Sequence, residues 1–185
     1  MRPAFVRMAL LAGLATGCGS GEGRPLTGPR LEASWTGADT ATLSAPGTAA
    51  WCDTLRVLEI VAIAGDTGIG IAVYPSDSIA SGRYRVRPPA VADSLPPAAA
   101  VGLRWFSETA VQGFQGDSGE VTLTRTPGGV LSGRFTAAAR AIVGNGRLTL
   151  TGSFDDLRAI PATRGCSTAP IPPPDGGPDP EERVD

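Results

Sequence analysis

Residues Gly119–Arg140 read GEVTLTRTPGGVLSGRFTAAAR and carry the clearest structural pattern in the chain. Apolar and polar residues alternate on both sides of Thr126–Gly129, and the apolar set is Val121, Leu123, Leu131, Phe135 and Ala137. A period of two is typical of a half-buried β-strand. Because proline presets φ at about −65° and glycine accepts positive φ, the sequence Thr-Pro-Gly-Gly favours chain reversal. We therefore predict a β-hairpin over this stretch.

Further short β patterns lie on both sides of this hairpin, most of them ended by glycine or proline. They are Leu31–Thr36, Thr40–Ser44, Leu55–Ala64, Ile69–Tyr74, Ser81–Arg87, Val101–Ser107 and Arg147–Phe154. Leu55–Ala64 is long enough for a helix, but its β-branched residues favour a buried strand. Short strands at regular spacing predict an all-β domain, an antiparallel β-sandwich of about eight to ten strands. The alternative is a closed β-barrel of the lipocalin or avidin kind.

The length fits one domain of ordinary size, and the composition excludes some functions. The chain has 185 residues, a formal net charge of −2 and no histidine. A weakly acidic chain without a basic cluster lacks the many phosphate contacts that nucleic acids require, so we expect no nucleic-acid partner.

Residues 1–18, MRPAFVRMALLAGLATGC, have the organisation of a secretion signal. Two arginines precede the apolar core Met8–Ala15, which is shorter than the ~20 residues of a membrane span. The ending Ala15–Cys18 resembles the lipobox of bacterial lipoproteins, a family in which a peptidase cuts before a cysteine that is then acylated. Lipoboxes favour leucine where this chain has Ala15. The alternative is an ordinary secretory signal that is cut after Gly17.

The lipobox resemblance implies a signal peptide over 1–17 and a lipid such as palmitate on Cys18. It also implies an exported protein at the bacterial cell envelope, anchored to a membrane through the lipid. Gly19 follows the cysteine, which in that family favours the outer membrane. Residues 18–30 are rich in glycine, serine and proline and predict a flexible tether.

The remaining chain divides into a folded domain over 31–167 and a tail over 168–185. The tail reads TAPIPPPDGGPDPEERVD. Because it has almost nothing apolar to bury, we predict a disordered, proline-rich acidic segment.

The three cysteines predict one disulfide bond. If Cys18 takes the lipid, Cys52 and Cys166 remain in an oxidising compartment, where pairing is the expected outcome and two free thiols are the alternative. Two cysteines without histidine do not make a zinc site, so no metal or cofactor is predicted.

Two glycine-rich motifs resemble catalytic or nucleotide-binding sequences. Gly116–Gly119 is GDSG, as around the nucleophile of chymotrypsin-like proteases, but no histidine can act as the base, so we predict a turn. Gly65–Gly70 is GDTGIG. A dinucleotide loop needs a helix after it, and an aspartic protease needs a second such triplet, so a hairpin turn is the better interpretation.

Three residue groups are weaker binding candidates. Arg83, Arg85 and Arg87 project from one strand face, where they either grip an anion or form a solvated surface. The second group is aromatic and consists of Trp51, Trp105 and Phe106. A platform that stacks on a sugar ring needs its aromatic side chains on one face, but Trp105 and Phe106 are neighbours in a strand and point to opposite faces. Calcium is a further possibility at Asp53, Asp155 and Asp156.

The Gly119–Phe154 segment loosely resembles β-rich domains of exported bacterial lipoproteins. We therefore expect a non-catalytic binding or structural protein with no catalytic residues and with an unidentified protein or glycan partner. One alternative is a small-ligand barrel with a pocket lined by Trp105, Tyr84 or Phe114. Another is a hydrolase that uses two carboxylates about 5–10 Å apart.

Overall fold

The computed structural model describes residues 28–106 and 110–162, and this part of the chain is almost entirely β-structure. The strands are β1 Arg30–Gly37, β2 Ala41–Cys52, β3 Val57–Ala64, β4 Thr67–Tyr74, β5 Gly82–Val86, β6 Ala98–Phe106, β7 Val111–Arg125, β8 Val130–Ala141 and β9 Arg147–Pro161. The short helix α1 spans Pro89–Ala92. The predicted all-β class is confirmed. Within the described residues, no helix has the length and apolar character needed to cross a bilayer.

The strands form one sheet in the order β1-β2-β3-β4-β6-β5-β7-β8-β9. Its first and last members also pair, because β1 lies antiparallel to β9 from Arg30 to Gly37. Two short parallel ladders join β5 to β6 and the end of β9 to β2. Each strand in the described part of the chain therefore has hydrogen-bonded neighbours on both sides.

The strands run between two ends of the sheet, which we call the 142 end and the terminus end after the residues that lie there. The 142 end carries the turns at 38–40 and 65–66 and the β8–β9 connection at 142–146. The terminus end carries the first described residues, the turns at 53–56 and 126–129, and the end of β9.

The predicted hairpin is confirmed as β7 and β8, with Val121 opposite Phe135. Its turn is closed by the Gly129 amide, which donates to the Thr126 carbonyl oxygen at 2.9 Å. Gly129 has φ 77°, a conformation that glycine adopts without strain. The hairpin is longer than predicted, because β7 already begins at Val111.

The prediction of a turn at Gly116–Gly119 is wrong. These residues lie inside β7, where the pairing register shifts between Gly116 and Ser118. A β-bulge accommodates the extra residue, Asp117, without ending the strand. The sequence pattern cannot distinguish this bulge from a turn, because glycine and aspartate are common in both.

A second bulge extends β9 beyond its predicted end at Phe154. The register with β8 shifts between Leu131 and Gly133, and Asp156 takes φ 56°. This shift lets Phe154 and Leu157 both point inwards although they are three residues apart, and each has a relative exposure of 0%.

Apolar side chains from all nine strands pack together on the inward face of the sheet, where they fill the core. The predicted inward residues of the first and last strands are buried there, among them Leu31, Trp35, Leu148 and Leu150. Towards the 142 end, Trp105 stacks between Trp35 and Phe114, with ring centroids 6.3 and 5.3 Å away. Offset aromatic packing of this kind stabilises a core beyond simple area burial.

Candidate functional site: an apolar groove on the outer face of β3, β4 and β6

The outer surface of the sheet differs sharply between its two halves. Over β1, β2, β8 and β9 it is rich in hydroxyl groups, around a shallow polar depression of about 510 Å³. Its lining includes Ser34, Thr42, Ser44, Thr151 and Ser153. Over β3, β4 and β6 the outer surface is apolar and contains a groove.

Glycines make the floor of this groove. Outward positions alternate with inward ones, so Gly68 and Gly70 point outwards while Ile69 and Ile71 are buried between them. Gly70 lies between Val61 of β3 and Gly102 of β6 in a row across the sheet. Because these glycines carry no side chain, the strand backbone is exposed between the larger apolar side chains beside it.

The groove has a volume of about 300 Å³. Besides the three floor glycines, its lining residues are Val61, Ile63, Ile69, Leu103, Arg104, Gly113, Phe114 and Ile142. A second depression of about 290 Å³ shares Val61, Gly70 and Gly102 and continues along the strands towards Tyr74 and Pro89. The two depressions form one trough, which we call the glycine groove.

The floor has room for additional atoms. A Cβ placed on Gly70 would meet no other atom within 4 Å, and one on Gly102 would meet only the Phe114 carbonyl oxygen at 3.8 Å. By contrast, a Cβ on Gly113 would lie 2.9 Å from Ile142 Cδ1, because the isoleucine side chain leans over that glycine. The glycine groove is therefore open above β4 and β6 and bounded by Ile142 above β7.

Large apolar side chains are exposed beside the groove at the 142 end. The two most exposed follow β8, Ile142 at 65% and Val143 at 84%. The others are Ile63, Phe106 and Val111. Exposed apolar residues that cluster in this way mark interaction sites on soluble domains.

The two ends of the trough carry opposite charges. Arg104 borders the 142 end, and its guanidinium carbon lies 5.9 Å from the centroid of the Phe106 ring. Tyr74 lies at the other end. Burial, and then the negative charges of Asp93 and Glu59, raise the pKa of the Tyr74 phenol.

Arg83 and Arg85 project from the outer face of β5, as predicted, and Arg87 follows the end of that strand. Arg83 forms a 3.8 Å ion pair with Glu120, and Arg85 is exposed. Arg87 is half-buried, and its Nε is buried without a hydrogen-bond partner among the described residues. The three guanidinium groups therefore lie in different environments, one ion-paired, one exposed and one half-buried.

The candidate aromatic platform is not formed. Trp51 is near the terminus end of β2, opposite Leu58, whereas Trp105 packs against the core towards the 142 end. Phe106 points outwards with 49% exposure, as the strand alternation required. Tyr84 and Phe114, predicted to line an interior pocket with Trp105, are both buried in the core.

The other candidate residues lie on exposed strand ends and bulges. Asp117 in the GDSG sequence accepts a hydrogen bond from Arg140 Nε at 2.7 Å. In the described residues, no three carboxylate or cysteine side chains are grouped in a way that would hold a metal ion. The GDTGIG sequence is a hairpin turn, as predicted, since β3 and β4 pair directly around Gly65 and Asp66.

Cys52 ends β2 and is buried with 3% exposure. Cys18 and Cys166 lie outside the described residues, so lipid attachment and disulfide pairing stay predictions. The described chain nevertheless returns to Cys52 at its end, because the Ala162 amide donates to the Trp51 carbonyl oxygen at 2.9 Å.

Comparisons of this chain with protein-family models, with curated proteins and with solved structures found no match.

Sequence reasoning missed the glycine groove, although a signal for it is present. Gly68 and Gly70 alternate with Ile69 and Ile71, which is a strand pattern with glycine on one face. Glycine inside a strand often marks a place where another molecule or backbone approaches closely. The residues that complete the groove come from β3, β6, β7 and the segment after β8, and only the pairing of the strands brings them together.

Proposed function

We propose that this chain is a non-catalytic binding protein that is exported and lipid-anchored through Cys18, and that the glycine groove is its binding surface. One observation carries the proposal. The described residues leave an open, glycine-floored apolar groove on the outside of a sheet whose inside is already filled. Apolar concave surfaces of this kind are the usual place for small-molecule binding.

The architecture that we propose for the sheet is a closed barrel with a packed interior. The pairing of β1 with β9 over eight residues supports closure, since a sandwich has free strand edges. Because side chains fill the interior, we place ligand binding on the outer face rather than inside the barrel.

The strand pairing also constrains how a ligand binds. An added β-strand needs a free edge, and every described strand has partners on both sides. Recognition through side chains and surface shape is therefore the remaining mode for this sheet, and the glycine groove provides it.

The proposed anchor is compatible with an accessible groove. The described chain starts next to β1 at the terminus end, so a tether from Cys18 joins the domain there. The exposed apolar residues beside the groove lie at the opposite, 142 end. The proposed attachment point and the exposed apolar residues therefore lie at opposite ends of the sheet, so the anchor does not cover this end of the groove.

The groove is tested by filling it. Gly70→Leu places an apolar side chain on the open floor, where a Cβ meets nothing within 4 Å. We expect the neutral dye Nile red to bind the wild type. Its affinity for the Gly70→Leu variant should be at least tenfold lower. Thr151→Leu adds a similar side chain to the polar outer face and serves as the matched control. Equal dye binding by Gly70→Leu and the wild type would refute the groove as the binding surface.

The anchor is tested by metabolic labelling with a palmitate analogue. The wild type should carry the label and sediment with membranes, and Cys18→Ser should lose both properties. A wild-type protein that is unlabelled and fully soluble would refute the lipid anchor without affecting the groove.

A further inference from the structure

We propose that the glycine groove binds a fatty-acid carboxylate, with the acyl chain along the glycine floor and the carboxylate at Arg104. The inference rests on the proposed function, since it names the ligand class of the same groove. Three features of the groove support it: the chemistry of its floor, the cation Arg104, and the opposite charge at its far end.

The floor of the groove favours a hydrocarbon chain over a peptide. The β4 backbone is hydrogen-bonded to β3 on one side and to β6 on the other, so its amide and carbonyl groups already have partners. A peptide in the groove would bring its own amide groups against apolar walls, where unpartnered polar groups are costly. An acyl chain has no such groups and gains free energy from leaving water.

Arg104 provides the partner for a carboxylate. Among the described residues, it is the one charged residue that lines the 300 Å³ part of the groove. Within the described chain, no carboxylate lies close enough to its guanidinium group to form an ion pair. Arginine presents paired N–H donors that match the two oxygens of a carboxylate. An anionic head group at this position would therefore pair with the guanidinium group.

The far end of the trough disfavours the opposite orientation. Ala72 lies four residues along β4 from Gly68, which corresponds to about 13 Å of strand. There the trough meets Glu59 and Tyr74. The negative charges of Glu59 and Asp93 act on the Tyr74 phenol. They would repel a ligand carboxylate placed at this end of the trough. A single-chain carboxylate thus has one favourable direction, with its methyl end towards Tyr74.

Calorimetric titration of the whole exported protein with decanoate, dodecanoate and dodecanol tests this inference. We expect affinity to rise about fourfold for each added methylene, as burial of hydrocarbon predicts. Arg104→Gln should weaken dodecanoate binding about 1.4- to fivefold, the range for an exposed ion pair, and leave dodecanol unchanged. Arg134→Gln, on the polar outer face, is the matched control and should change neither.

The remaining outcomes show whether the proposed ligand class or the groove itself is wrong. If Gly70→Leu blocks Nile red but dodecanoate does not bind, or if Arg104→Gln weakens dodecanoate and dodecanol equally, the fatty-acid inference is wrong and the groove stands. Dimerisation of the wild type that Gly70→Leu abolishes would make a second copy the occupant and overturn the inference. Unchanged dye and dodecanoate binding by Gly70→Leu would overturn both proposals.

Discussion

Phe135 of β8 lies directly opposite Gly152 of β9, and a Cβ placed on Gly152 would come within 2.5 Å of Phe135 Cζ. The relationship is repeated two positions away with the roles exchanged, where Phe154 of β9 lies opposite Gly133 of β8 and its ring occupies the space above that glycine. Each phenylalanine ring thus covers the glycine of the neighbouring strand. This reciprocal packing favours the observed register of β8 against β9, because a shift of either strand would bring the rings against other residues.

The first prediction concerns the ring itself. Phe135 is buried with 2% exposure. Truncation by Phe135→Ala should destabilise the fold by about 3–5 kcal/mol, because it removes buried hydrocarbon and leaves a cavity. Chemical denaturation measures the change. A loss below about half a kcal/mol, the range for surface positions, would contradict the register.

The second prediction compares two strand glycines. Gly152→Ala should cost about 1–3 kcal/mol, since its Cβ would collide with the Phe135 ring and with the Glu32 carbonyl oxygen. Gly70→Ala meets nothing and should be neutral or stabilise by about 0.5–1 kcal/mol, because alanine costs less backbone entropy in a strand. Thermal unfolding of both variants measures the difference. Equal effects would mean that the close packing at Gly152 is absent.

The third prediction is the disulfide bond between Cys52 and Cys166. Ala162 is hydrogen-bonded to Trp51, next to Cys52, so four further residues bring the chain to Cys166. Non-reducing peptide mapping of the exported protein should recover both cysteines in one linked fragment. The double variant Cys52→Ala and Cys166→Ala should lose about 2–5 kcal/mol and keep its β spectrum. Alkylation of both thiols in the native protein would refute the pairing.

The fourth prediction concerns the two tyrosines of the chain. Burial is the main cause that raises the pKa of Tyr74 and of Tyr84 above 10.0. In the folded protein, the phenolate absorbance should therefore appear at higher pH than in the denatured protein. Because the folded state holds these protons more tightly, their contribution to stability is complete below pH 10 and is lost as the pH rises through the folded values. Tyr74→Phe should remove half of the shifted absorbance, and titration of the folded wild type at the ordinary value would contradict the burial of both rings.

The local pattern predicted strands more reliably than it predicted their ends. The period of two located most of the strands and the inward residues of the β7–β8 hairpin, since that alternation follows from the pleat alone. It did not predict the bulges at Asp117 and Asp156, because an extra residue interrupts the alternation in a strand that continues to pair. For the same reason β9 was predicted to end at Phe154, seven residues early.

The candidate site could not be predicted from local sequence patterns. The sequence drew attention to Gly65–Gly70 as a turn, and two of its glycines, Gly68 and Gly70, follow the turn in β4 and form the groove floor. Their partners, Gly102 and Arg104, are more than thirty residues away in the sequence and adjacent across the β4–β6 ladder. No short-range pattern contains that pairing.

The sequence by itself determined that this chain forms β-strands, where the β7–β8 hairpin turns and which of the hairpin's side chains point inwards, because those properties depend on neighbouring residues. Only the tertiary structure decided that β1 meets β9, that the interior is filled, and that Arg104 borders an open apolar groove. These features depend on which distant strands pair, and that choice is made by the burial of the whole apolar set rather than by any segment alone.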